Sequence, residues 1–355
     1  MAMMDKEPKA WLVRGSKNPY FDQWMLDSGY TGVDFHELGD LTGAKDLPRM
    51  RERIALAMPD KSARAVGNYA AQLNAFANRI SIGDIVVLPL KSVRRLAFGV
   101  VTGQYTYLAG DAALNHVRGV DWKRTDVART AINQDLLYSL GAFSTVVQIS
   151  RNDAAFRLAK VMDGAEADPG ARPGVPLTLP AVDDDVVDSD EAIASGAQDI
   201  IQYSRDRILT VLKEQFAGHA LQDLVAEILR AEGMTCKVPP TGADGGIDII
   251  AGSGVLGISA PTIIVQVKSQ PTRVSSEVLD QLGGVVGQHQ ADHGLLVAMG
   301  GLTSPAQAKV DAQRLRVAVW DAEELVDRLL KHYEALPESI KEVIPLRRAW
   351  VIDES

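Results

Sequence analysis

The chain has 355 residues, room for two or three domains at roughly 100–200 residues each, and its 46% hydrophobic and 23% charged residues suit ordinary apolar cores. Its one cysteine, Cys236, excludes an internal disulfide and a cysteine-cluster zinc site, and fits a reducing cytoplasm. The formal net charge of −9 disfavours indiscriminate coating of nucleic acid, so phosphate contacts must come from local basic patches. No apolar run approaches the roughly 20 residues that span a bilayer, and no apolar segment follows the charged start. A soluble cytoplasmic protein with no membrane partner is the expectation.

In chain order, a short apolar segment at 10–13 opens the first half, and 63–78 has helical spacing, with Leu73 and Phe76 on one face. Apolar or alternating runs at 84–88, 95–102, 103–107 and 144–149 predict strands, and 152–162 a closing helix. Several short strands with few helices predict a small, twisted, barrel-like α+β domain over 9–162. Proline and glycine then crowd 168–176, and Asp183, Asp184, Asp185, Asp188, Asp190 and Glu191 follow. Such a stretch breaks regular structure and repels itself, so 163–198 reads as an extended linker. A DNA mimic shielding a basic cleft is the alternative.

Helices are predicted at 199–216 and 218–231, the second ended by Gly233. Strands at 245–250, 262–268, 294–299 and 316–320 alternate with helices at 275–289, 304–314 and 321–332. The second half is therefore an α/β domain over 199–335, a mixed sheet flanked by helices, with a tail over 336–355.

The chemistry concentrates on two of these strands. Asp248 interrupts the apolar Ile247, Ile249 and Ile250, behind Gly245 and Gly246, which allow a tight turn and close approach of a phosphate. In Ile263-Ile264-Val265-Gln266-Val267-Lys268, period-2 alternation puts Gln266 and Lys268 on one face. A glutamine and a lysine on an otherwise apolar strand need partners, and Asp248 is the nearest in kind. A buried ion pair with a polar neighbour is the purely structural alternative. The functional one is phosphodiester hydrolysis, where a hard cation needs oxygen ligands and keeps several waters.

These motifs, with the helix around Leu224–Leu229 and the later Gln281-Leu282-Gly283 and Gly300-Gly301-Leu302-Thr303-Ser304, resemble the Mrr-like branch of the PD-(D/E)XK nucleases over about 218–330. That branch writes the second half of its motif Gln-X-Lys. The resemblance implies a restriction-endonuclease-like fold and catalysis by Asp248, Gln266 and Lys268. It also implies Mg2+, with Mn2+ able to substitute, on Asp248 and the Val267 carbonyl, and DNA contacts from Gly245, Gly246 and Gln281. Family members usually carry a glutamate on the first core helix; Gln222 stands there, beside Asp223, which is a further candidate ligand together with Glu227.

The N-terminal succession Trp11–Gly15, Ile82–Pro89, Phe98–Tyr107 and His116–Trp122 resembles the EVE/PUA-like domains over about 9–162. A base reader needs aromatic faces and polar groups. Trp11, Tyr105, Tyr107 and Trp122 are the aromatic candidates, with Arg14 and Arg118 beside them; aromatics in a small barrel also serve as core. His289 and His293 lack a third ligand nearby, and 252–257 lacks the lysine of a phosphate loop.

The expected function is a metal-dependent DNA endonuclease for modification-dependent restriction or antiphage defence, acting on DNA with modified bases as a homodimer or larger homo-oligomer. The rivals are a nuclease gated by a small nucleotide bound in the N-terminal domain, and a catalytically degenerate DNA-binding protein.

Overall fold

The computed structural model describes residues 7–15, 18, 20–91, 93–110, 113–141, 144–177, 200–239, 246–312 and 316–349. The chain divides into two compact units, 1–203 and 204–354. Among the described residues no helix is long and apolar enough to cross a membrane.

The N-terminal unit is built on strands β1 (Ala10–Val13), β2 (Tyr30–Val33), β3 (Ile85–Leu90), β4 (Arg95–Tyr107), β5 (His116–Ala128) and β6 (Val146–Ile149). They form a six-stranded sheet in the order β2-β5-β4-β3-β1-β6, with β1 parallel to β3 and antiparallel to β6. Helices α1 (Tyr20–Ser28), α2 (Leu47–Ala57), α3 (Ala63–Asn74), α4 (Gln134–Leu140) and α5 (Ala154–Met162) accompany it, and a π-helical turn, Ala75–Arg79, extends α3.

The expected barrel is not formed among the described residues: β2 and β6 are the two ends of an open sheet. Strands β1 and β3 are apolar on both faces. Ala10, Leu12, Ile85 and Val87 join one core with Leu136 of α4 and Leu158 of α5. Trp11, Val13 and Val86 join another with Met50 and Ile54 of α2 and Leu73 of α3. A sheet apolar on both sides needs a layer on each. The long β4–β5 hairpin is irregular around Gly99, where a Cβ would come within 2.4 Å of Val120.

The first part of the expected linker is tied to this unit. Asp168 is buried and grips Arg157 of α5 (Oδ1 to Nε 2.8 Å, Oδ2 to Nη2 2.7 Å), while Asp135 holds the other edge of the same guanidinium. The acidic run 183–191 lies outside the described residues.

The C-terminal unit holds α6 (Ile200–Gln215), most of which lies within it, α7 (His219–Ala231), β7 (Thr235–Lys237), β8 (Ile249–Ser253), β9 (Ser259–Lys268), α8 (Ser276–Gln288), β10 (His293–Ala298), α9 (Ser304–Ala312), β11 (Val317–Asp321), α10 (Ala322–His332) and α11 (Glu338–Val343). The sheet order is β11-β10-β9-β8-β7, parallel from β9 to β11 and antiparallel from β7 to β9. This is the predicted mixed sheet. On one face Val265, Ile249 and Ala251 pack with Leu221, Leu224, Val225 and Ile228 of α7. On the other, Ile264, Leu296 and Ala298 pack with Leu279 and Leu282 of α8 and Ala306 of α9.

Helix α7 ends as its sequence predicts. Gly233 adopts φ +95°, and Met234 N donates back to Leu229 O at 3.0 Å. The expected tail is packed in its described part: Leu336, Ile340 and Ile344 are buried against the α7 side of the core.

Candidate active site

The site forms where β8 ends beside β9. Asp248 N donates to Val265 O at 2.9 Å, the last backbone rung between the two strands. One pair further along β9, Val267 N–H is met by a side chain instead: it donates to Asp248 Oδ2 at 2.6 Å. The N–H and C=O of a strand residue project to the same neighbour. The Val267 carbonyl therefore points to the side on which the Asp248 carboxylate lies, while the Lys268 carbonyl faces β10 and accepts from Met299 N at 3.0 Å.

Alternation along β9 sets the other groups. Val265 joins the α7-side core and Ile264 the α8-side core, so Gln266 and Lys268 project to the α8 side. Gln266 is 6% exposed, and its Oε1 is buried with no hydrogen-bond partner among the described residues. Gly246, at φ +89°, lies so close that a Cβ there would stand 2.9 Å from Gln266 Nε2. Lys268 is half-buried, near enough to Asp248 to act on its charge.

Helix α7 supplies the third side. Gln222 donates from Nε2 to Asp248 Oδ1 at 2.7 Å, and its Oε1 meets His219 Nδ1 at 2.8 Å. Each oxygen of Asp248 thus accepts one hydrogen bond and keeps a further lone pair. Burial pushes the Asp248 carboxyl above the ordinary carboxylate value, against the lowering effects of the Val267 N–H, Lys268 and His219.

The structure brings Asp248, Gln266, Lys268 and the Val267 backbone together. Asp223 is exposed on α7 and Glu227 pairs with Arg230 at 2.6 Å, while Gln222 is the α7 residue that meets the carboxylate. Gln281 is exposed on α8. Gly245 lies outside the described residues, together with 240–244. His219 was not singled out by sequence reasoning; its position three residues before Gln222, one turn away on the same helix, is the signal that could have found it.

The fit to a divalent cation rests on the donor set. Among the described residues no group of three or more His, Cys, Asp or Glu side chains could hold a metal. The Asp248 carboxylate, the Val267 carbonyl and the orphaned Gln266 Oε1 are all hard oxygen donors. They suit an ion that keeps most of its waters, as Mg2+ does.

The N-terminal candidates do not form a comparable cluster. Trp11 is fully buried, with Nε1 donating to Asp84 Oδ2 at 2.8 Å and the Arg79 guanidinium 5.7 Å from its ring centre. Arg118 is 1% exposed and donates to Phe76 O and Ala77 O of the π-helical turn and to Gly103 O of β4. Burial pulls its guanidinium down to about 10. Both are framework residues here, because neither presents a face or a donor to solvent. Trp122 donates to Met25 O at 3.0 Å and Arg14 to Leu140 O at 3.4 Å. Tyr105 accepts from Leu41 N at 3.1 Å and pairs with His116 Nδ1 at 2.8 Å; burial pushes its hydroxyl up to about 12.

Residues 213–329, the stretch that holds this site, match the family Mrr_cat, restriction endonuclease. Residues 11–148 match a different family, a domain of unknown function, DUF8426. No curated protein matches the sequence. Among solved structures the chain is similar to the MspJI restriction endonuclease in complex with a 27-mer oligonucleotide, at 16% identity and TM-score 0.31 over 94% of this chain and 79% of that one. It is also similar to the DNA modification-dependent restriction endonuclease AspBHI, at 11% and 0.33 over 89% and 79%. A third, the protein of unknown function AF1548, has 13% identity and TM-score 0.25; the match covers 30% of this chain and 64% of that one.

Proposed function

We propose that this protein is a metal-dependent DNA endonuclease whose centre is Asp248, Gln266, Lys268 and the Val267 carbonyl, with the N-terminal unit selecting the target. The observation that carries the reading is the end of β8, where the Asp248 carboxylate takes over a backbone rung from Val267 beside the unpartnered Gln266 Oε1. The match of 213–329 to restriction endonucleases supports it.

Asp248, Val267 O and Gln266 Oε1 would hold a Mg2+ ion, which when bound supplies charge neutralisation at the phosphate and a more acidic water. The rest falls to the chain. The Val267 N–H and Gln222 fix the Asp248 carboxylate in one rotamer. The Lys268 ammonium is a donor for a phosphoryl oxygen as negative charge builds there. Gly246, exposed and without a side chain, offers the DNA backbone a bare stretch of main chain at the edge of the site.

Target selection by a modified base follows from the resemblance of the N-terminal sequence to EVE/PUA-like domains. Trp11 and Arg118 are committed to the framework, so the half-buried Tyr105, Tyr107 and Trp122 are the rings left to test as stacking faces.

The test is cleavage of modified and unmodified plasmid DNA by the full chain, with Mg2+ and with EDTA, beside Asp248→Ala. Cutting that needs Mg2+ and Asp248 is expected. Binding without cutting under every condition would favour a degenerate DNA-binding protein, a reading to which Gln222 lends weight. Cutting that persists in Asp248→Ala would place the centre elsewhere.

A further inference from the structure

His219 is the first residue of α7, introduced by Gly218 with φ +57° and ψ −123°. Gly218 N donates to Ser269 Oγ at 3.3 Å, tying this turn to the residue after Lys268. His219 is exposed, so the core does not depend on its packing. Its Nδ1 meets Gln222 Oε1 at 2.8 Å.

The hydrogen bonds around it have only one consistent direction. An ionised carboxylate only accepts, so the Gln222 group facing Asp248 Oδ1 is the NH2. The other end of that amide is then the carbonyl, which also only accepts. His219 Nδ1 must therefore carry a proton and donate. The chain runs from His219 Nδ1–H to Gln222 Oε1, and from Gln222 Nε2–H to Asp248 Oδ1. A glutamine amide has two ends of similar size and opposite hydrogen-bonding sense, so shape alone does not orient it. A partner able to donate at Oε1 does.

We propose that His219 is a positioning residue which orients the Gln222 amide and through it the Asp248 carboxylate for a divalent cation. The inference rests on reading the site as a metal-dependent nuclease centre. Turning the amide around would aim its carbonyl at the Asp248 carboxylate, two acceptors facing each other. The His219 donor opposes that state both as the imidazolium and as the neutral Nδ1–H tautomer, the two forms in which Nδ1 donates.

The experiment titrates full-length protein with Mn2+, following free Mn2+ by electron paramagnetic resonance, with thermal melting recorded beside it. Loss of an outer-shell partner commonly weakens metal binding by about 10–100-fold. His219→Ala should weaken Mn2+ binding by about tenfold, the low end of that range, with its melting temperature unchanged. His219→Asn, whose side-chain NH2 can occupy the Nδ1 position, should recover most of the affinity. In a Gln222→Ala background, His219→Ala should have a much smaller effect, since the hydrogen-bonded route to the Asp248 carboxylate is gone. Wild-type affinity in His219→Ala overturns the proposal, and so does an equal loss with and without Gln222. Asp248→Ala separates the two levels: wild-type Mn2+ binding in that variant removes the metal centre itself, whereas loss there with none in His219→Ala removes only the role of His219.

Discussion

Gln222 Nε2 donates to Asp248 Oδ1 at 2.7 Å, so a neutral residue on α7 occupies the side of the carboxylate where a second anion would bring another metal ligand. Gln222→Glu tests what that neutrality does. Two carboxylates this close repel when no cation lies between them, and one is driven to protonate. The variant should melt lower in EDTA, by roughly 2–4 °C for each kcal/mol lost, and recover when Mg2+ is added. It should also reach half-maximal cleavage at lower Mg2+. A melting curve indifferent to Mg2+ would argue against a cation at this position.

Lys268→Ala should lower cleavage by ~10²–10³-fold, the usual consequence of losing one donor to developing charge. The β9 backbone should persist, since the Lys268 carbonyl rather than its side chain ties it to β10. DNA binding, measured by gel shift in Ca2+, should change little. Loss of binding in parallel with cleavage would make Lys268 a DNA anchor instead.

Burial holds the Asp248 carboxyl above its ordinary value, and this fixes the sign of a pH effect. The ionised form holds the cation and the protonated form does not, so falling pH sets protons against Mg2+. Cleavage should fail on the acid side at a pH above that of an ordinary carboxylate. The failure should move to lower pH as Mg2+ is raised. An acid limb at the same pH at every Mg2+ concentration would mean that another group sets it.

The buried Arg157 predicts where the N-terminal unit ends. Asp168→Ala removes one of its two carboxylate partners while Asp135 keeps the other edge. The cost should be roughly 3 kcal/mol, the low end for breaking a buried pair. A fragment ending at Met162 should melt well below one ending at Leu177. Burial opposes the ionised Asp168, but Arg157 and the backbone N–H groups of Gly170 and Asn133 outweigh it and lower the pKa. Its contribution is therefore complete above the ordinary carboxylate value and is lost as pH falls through the lowered one. Equal stability of the two fragments would restore a boundary at 162.

Trp11→Phe should destabilise the N-terminal unit, because Asp84 Oδ2 loses the indole donor and the core loses volume. Preference among modified and plain duplexes should not change. A shift in preference without a loss of stability would return Trp11 to the reading surface.

The clustering of Asp248, Gln266 and Lys268 was legible in the sequence because strand alternation alone puts Gln266 and Lys268 on one face, and Asp248 breaks the apolar run that precedes their strand. The Gly233 cap was legible for the same kind of local reason. Trp11 was not: an isolated Trp-Leu-Val reads alike whether one face or both are covered, and only pairing with β3 and β6 shows both. Strand β5 hid behind Asp121, Lys123, Arg124 and Asp126, charges that occupy the more exposed stretch of a long hairpin. The role of Asp168 depends on a side chain on α5, a contact that composition does not encode. His219 was passed over because its hydrogen-bonded link to Asp248 runs through Gln222.

The approach of Gly246 to Gln266 sets a rule for how this sequence can drift. At φ +89° any side chain at 246 is strained, and a Cβ there would stand 2.9 Å from Gln266 Nε2. A lineage that acquired even alanine there would strain the turn and push the end of the Gln266 side chain out of its place in the site. A bank of random variants selected for cleavage should leave 246 as fixed as Asp248, although its own atoms take no part in the chemistry.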